Sequence, residues 1–169
     1  VGWLFETLER TREVARWSAE ITHNHPEGVK GAESVAAVIW MARNGKSKDE
    51  IKEYVICEFG YDLSRTCDEI RPEYFHQESC QKTVPEAMTA FFEGKDLEDV
   101  IRTAVSLGGD CDTLTDIATA MGEAFYGMND DLRRAVMQYT TEDMHGVLME
   151  FDNVKIQRVQ DKGKVVVWA

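Results

Sequence analysis

The sequence is poor in several things at once. It has 3 prolines and 12 glycines in 169 residues and no low-complexity tract, which excludes a collagen-like chain and a proline-rich linker. Cysteine is sparse too. Cys57, Cys67, Cys80 and Cys111 form no C-x-x-C pair and no zinc-type spacing, so neither a disulfide scaffold nor a structural zinc site is expected. They read as free thiols of a reducing compartment, with Cys57 and Cys111 packed in or near the core. No apolar run approaches the ~20 residues of a membrane span. The start, Val-Gly-Trp-Leu-Phe-Glu, lacks the basic and apolar regions of a signal peptide, so the cytoplasm is the expected location. Basic residues are outnumbered: 19 Lys and Arg against 31 Asp and Glu leave a formal net charge of −12. That disfavours nucleic acid as a partner, because phosphate contacts need a basic footprint.

What is present is helical periodicity. Residues 3–21 carry Leu4, Leu8, Val14, Ala15 and Ala19 among charges, as on an amphipathic helix. His23-Asn24-His25-Pro26-Glu27-Gly28 breaks it. Residues 29–43 then read as a helix apolar on most sides, which belongs in the middle of a bundle. Ser47-Lys48-Asp49-Glu50 is a capping box opening a helix with Ile51, Tyr54, Val55 and Phe59 on one face, closed by Gly60. Residues 61–82 have no sustained period and read as a long surface connection.

Thr83-Val84-Pro85-Glu86 has the form of a second capping box, for a helix running to Phe92 before Gly94. Asp96 caps the next, with Leu97, Val100, Ile101, Ala104 and Val105 as its buried stripe. Further helices are expected over 112–126, closed by Gly127, and over 130–139. Residues 154–159 and 164–168, parted by 160–163, have the alternation of a β-hairpin. The expectation is one all-α domain, helical over 1–150, with a short β tail over 151–169.

Chemistry concentrates at Gly108-Gly109-Asp110-Cys111-Asp112-Thr113, between two helices. Two glycines allow a tight turn and close approach of another group. Asp110, Asp112 and Thr113 then offer three hard oxygen donors, suited to Mg²⁺, Mn²⁺ or Ca²⁺. The alternative is mechanical: Gly-Gly ends one helix and Asp caps the next. Capping needs one carboxylate, however, and a second beside it repels unless a cation intervenes. Asp112 and Asp116, four apart, share a helix face and read as solvated surface. His23 and His25 flank a helix end, where capping, packing and ligand contact are all open; zinc lacks a third ligand nearby.

The sequence here resembles a known family. Leu107-Gly108-Gly109-Asp110-Cys111-Asp112-Thr113, running into Gly122-Glu123-Ala124-Phe125-Tyr126-Gly127, looks like the C-terminal signature of the ADP-ribosylglycohydrolases. Thr22-His23-Asn24-His25-Pro26-Glu27-Gly28-Val29-Lys30-Gly31-Ala32 and Ser79-Cys80-Gln81-Lys82-Thr83-Val84-Pro85-Glu86-Ala87 resemble two further blocks of that family, in the same order.

The resemblance implies an orthogonal helix bundle around a pair of Mg²⁺ ions (Mn²⁺ being possible). It also implies hydrolysis of the bond joining ADP-ribose to a protein side chain, or of a related ADP-ribose compound. On it, Asp110, Asp112 and Thr113 are metal ligands, and His23, Gly108 and Gly109 lie against the ADP-ribose. The family's other ligands come from a Thr-Asp-Asp-type segment, which these residues do not contain. The chain therefore reads as the C-terminal part of a longer domain, with the general base upstream of Val1 and the missing part as a partner. A chain of these residues alone is expected to self-associate, with the helix over 29–43 uncovered. The alternative is a non-catalytic ADP-ribose binder or a structural, crystallin-like relative.

Overall fold

A computed structural model describes residues 1–161, with side chains to Val154. Nine helices follow one another among these residues, with no strand: α1 (Leu8–Glu20), α2 (Pro26–Arg43), α3 (Lys48–Phe59), α4 (Cys67–Ile70), α5 (Cys80–Glu93), α6 (Leu97–Ser106), α7 (Cys111–Tyr126), α8 (Asp130–Met137) and α9 (Glu142–Asp161). Helix α2 is central, packed by α1, α3, α5 and α7, and α5 and α6 pack on α7. Between them Val38, Ile51, Val55, Met88, Phe91, Val100, Leu114 and Met121 are all fully buried.

Local chemistry explains where the helices start. Residues 1–7 do not join α1, because their carbonyls serve α2 instead. Arg43 donates to the carbonyls of Gly2 (2.8 Å) and Phe5 (2.5 Å), and Trp40 Nε1 donates to Phe5 (3.2 Å). Thr7 then caps α1. Helix α2 begins at Pro26, three residues before the expected start, because proline at a first helical position needs no N–H. The buried Glu33 of α2 accepts from Arg12 (3.2 Å) and Arg16 (2.8 Å), fixing α1 across it. Removing one arginine would leave a buried charge partly unpaired.

The expected capping box at Ser47 and Glu50 forms, and Gly60 closes α3 in the left-handed conformation at φ +67°. The one at Thr83 and Glu86 does not. Helix α5 already starts at Cys80, Thr83 is buried, the Glu86 carboxylate pairs with Arg65, and Pro85 lies inside the helix. Within 61–82 a one-turn helix, α4, is held by its own capping box between Thr66 and Glu69. On α6, Leu97, Val100 and Ala104 are buried, whereas Val105 falls off that stripe and is exposed.

The β tail is a correction. Residues 154–159 lie in α9, where Val147, Phe151 and Val154 continue at helical spacing. The hairpin's other arm, 164–168, lies outside the described residues. The cysteines are free, but Cys57 is exposed and Cys67 is the buried one. Helix α2 is also covered, not uncovered. Of the exposed large apolar side chains, Val136, Tyr139, Met144, Val147, Leu148 and Met149 lie on α8 and α9 and the turn between them.

Candidate functional site

The N-terminal halves of α2, α5 and α7 come together around one groove. A Cβ at Gly31 of α2 would lie 3.3 Å from the Cys80 Cβ at the start of α5. Tyr74, in the loop before α5, faces Thr83 of α5 and packs on Gly109 just ahead of α7. Helix N-termini carry partial positive charge and free N–H groups. Neither Ser79 before α5 nor Asp110 before α7 makes a side-chain capping bond, although in α7 the Asp112 carboxyl takes the Thr113 N–H.

The turn into α7 is forced by its neighbours. Gly108 and Gly109 both adopt positive φ, +75° and +62°. A Cβ at Gly109 would meet the Phe75 carbonyl oxygen at 2.7 Å and Tyr74 Cε1 at 2.9 Å, so only glycine fits. The turn sets the half-buried Asp110 and the exposed Asp112 side by side, with Thr113 exposed next to them. Asp112 is held below the ordinary carboxylate range. Its shared hydrogen bond with the Asp110 carboxyl is the main cause; the backbone N–H of Thr113, donating to Oδ1 at 3.1 Å, and the charge of His76 add to it. Two carboxyls in such contact cannot both ionise cheaply without a cation.

Asp110, Asp112 and Thr113 therefore stand together as expected, and the capping alternative does not hold for the Asp110 side chain. It does hold for His25, whose Nδ1 accepts from the Glu27 N–H at 3.2 Å as the cap of α2. Asp116 is exposed, as expected. His23 stands apart from the carboxylates. It lines a largely apolar groove of about 450 Å³ between α1, α2, α5 and α7, whose lining includes Gly28, Gly31, Cys80, Val84 and Ile117. Ile117 is one helical turn beyond Thr113, so α7 runs from the carboxylate pair into the groove wall.

The segment over 74–76 was not singled out from the sequence. Its only signal was the lack of period across 61–82. Tyr74 and Phe75 cover Gly109, Phe75 is 70 % exposed, and His76 faces Asp112. Burial pushes the Tyr74 phenol above its ordinary value. Beyond Tyr74 a cavity of about 210 Å³ is lined by Arg65, Gln77, Lys82 and Glu86 among others. Burial raises the Glu86 carboxyl, with the Arg65 guanidinium pulling the other way.

In donor chemistry, Asp110, Asp112 and Thr113 fit a hard divalent cation, and the Asp110 carboxyl makes no bond to the start of its helix. Among the described residues no group of three or more His, Cys, Asp or Glu side chains gathers. These donors would thus fill one side of an ion's shell. Among the described residues, too, no helix is long and apolar enough to cross a membrane. The family model for ADP-ribosylglycohydrolases matches residues 1–159. Neither curated proteins nor solved structures provide a match.

Proposed function

The chain belongs to the ADP-ribosylglycohydrolase family, a hydrolytic one acting on ADP-ribosylated substrates, and from that premise we propose that it takes part in Mg²⁺-dependent hydrolysis of the glycosidic bond, N- or O-linked, between ADP-ribose and a protein side chain or a related compound. The observation that carries this reading is the Asp110–Asp112 pair: two carboxyls side by side at one turn, Asp112 exposed and the Asp110 side chain making no capping bond to its helix.

In this proposal Asp110, Asp112 and Thr113 hold Mg²⁺ or Mn²⁺, with a second ion in the complete site. When bound, such ions supply positive charge for an anionic ligand and lower the pKa of a bound water. This chain's own residues do the rest. Uncapped N–H groups at the start of α5 supply donors for the pyrophosphate, offsetting a strongly acidic protein. Gly108, with open space where a Cβ would stand, lets the ligand approach the turn beside Gly109 closely, and His23 contacts the ADP-ribose from the groove. Carboxylates near the anomeric carbon stabilise oxocarbenium character.

The test is release of ADP-ribose from an ADP-ribosylated protein, with and without Mg²⁺. In the complete protein, Asp110→Ala and Asp112→Ala are expected to bring release to background; unchanged turnover in both would overturn the assignment. A non-catalytic ADP-ribose binder is the second reading, favoured by the lack of a three-residue ligand group among the described residues. Calorimetric binding of ADP-ribose without any turnover would select it.

A further inference from the structure

Helices α8 and α9 contribute nothing to the buried core. No residue of α8 is buried, and none of α9 is as far as Val154. None of the closely packed helix pairs among the described residues includes either of them. The two run back along each other, joined by Arg133 of α8 and Asp152 of α9 at 2.7 Å. One turn nearer their connection, Val136 and Leu148 lie on the same sides of the two helices as that pair. They are nevertheless 47 % and 40 % exposed. Met144 and Val147 continue the α9 face at helical spacing and are exposed too. The seam between the helices is therefore open along its apolar side. A helix of 8 residues with nothing buried is not held by propensity alone.

Charge decides what covers this face. Residues 130–154 carry six carboxylates, Asp130, Asp131, Glu142, Asp143, Glu150 and Asp152, against two arginines. Both arginines are taken locally, Arg133 by Asp152 and Arg134 by Asp131. Among the described side chains no ion pair answers the other four carboxylates. A second copy would set these carboxylates against themselves, because a two-fold contact uses the same face twice. Anionic lipid and nucleic acid are repelled in the same way. We propose that the α8–α9 face docks an amphipathic helix of another protein, apolar on one side and flanked by Lys or Arg. Its apolar side closes the seam, and its cations meet the unanswered carboxylates. Met144 and Met149, both exposed, suit that use, since an unbranched thioether adapts to the shape it meets. The proposal does not rest on the reading of Asp110 and Asp112.

The test is fluorescence anisotropy of two labelled helical peptides titrated with the complete protein at low salt. One is an amphipathic helix of leucine and lysine; the other has glutamate in place of lysine. The Leu/Lys peptide is expected to bind at least about tenfold more tightly than the Leu/Glu peptide. A combined Val147→Glu and Leu148→Glu variant should lose at least about tenfold of that affinity at an unchanged melting temperature, both side chains being exposed. Glu142→Gln with Asp143→Gln should weaken binding about threefold and flatten its salt dependence. Equal binding of the two peptides, or full affinity in the Val147→Glu and Leu148→Glu variant, would overturn the proposal. So would a complete protein that binds neither peptide, its face being covered by a second copy or by the rest of the chain. Light scattering tells these two apart, because only a second copy gives a dimer that the same variant dissolves.

Discussion

Helices α3 and α7 both start with a polar residue shortly after a glycine turn, and they use it differently. Before α3, Gly45 sits at φ +79° with nothing within 4 Å of where its Cβ would be. Ser47 accepts from the Glu50 N–H (3.2 Å) while Glu50 accepts from the Ser47 N–H (2.9 Å), so the helix satisfies its own first turn. Before α7, the Phe75 carbonyl and the Tyr74 ring lie on Gly109, and Asp110 makes no side-chain cap, the Thr113 N–H donating to Asp112 instead. A helix can form without a cap when α2, α5 and α6 pack it in place, as they do α7. The first start satisfies its own N–H groups, and the second leaves its N-cap carboxylate uncommitted to the helix, which is what the proposed cation site requires.

The largest effects should separate the two starts by kind. Asp110→Ala and Asp112→Ala are expected to abolish Mg²⁺-dependent ADP-ribose release while shifting the melting temperature little. Parallel activity and melting assays on the same preparations check this.

Next come the glycines. Gly109→Ala meets both a positive φ and the Phe75 carbonyl, and should destabilise by roughly 2–4 kcal/mol. Gly45→Ala faces the φ cost alone, about 1 kcal/mol. Chemical denaturation of both variants measures the gap, and equal costs would break the comparison. Smaller still, Ser47→Ala should cost about 1 kcal/mol of stability and leave ADP-ribose release untouched.

The smallest effect is in the pH dependence. Lys46 and the Ser47 N–H and hydroxyl hold the Glu50 carboxyl down to about 2. An acid depressed in the folded state contributes stability above its unfolded value, ~4.3, and loses that contribution as pH falls toward the folded value. Glu50→Gln should therefore flatten the stability curve between about pH 4 and pH 2, as read from melting across that range.

Much of this was legible before any coordinates. The α3 box, Gly60, Asp96 before α6, and the span of α7 up to Gly127 follow from short-range signals, and the fold keeps them all. The Asp110–Asp112–Thr113 cluster was legible because it is contiguous. What sequence reading missed depends on tertiary contacts. Thr83 and Glu86 have the spacing of a capping box, yet one is buried and the other answers Arg65 from 21 residues away. Tyr74 and His76 enter the site only because a loop without periodicity folds over Gly109. On α9 an alternating stretch at 154–159 continues a helix begun at Glu142. Amphipathicity there predicts a face, but not that Val147 and Met149 would stay exposed.

The contrast between the two helix starts comes down to one paired measurement: thermal melting and Mg²⁺-dependent ADP-ribose release on Ser47→Ala and Asp112→Asn, side by side. The account predicts that Ser47→Ala melts earlier with full release, and that Asp112→Asn melts as the wild type does with release lost. Release that survives in Asp112→Asn, or that falls only in step with stability in both variants, would contradict it.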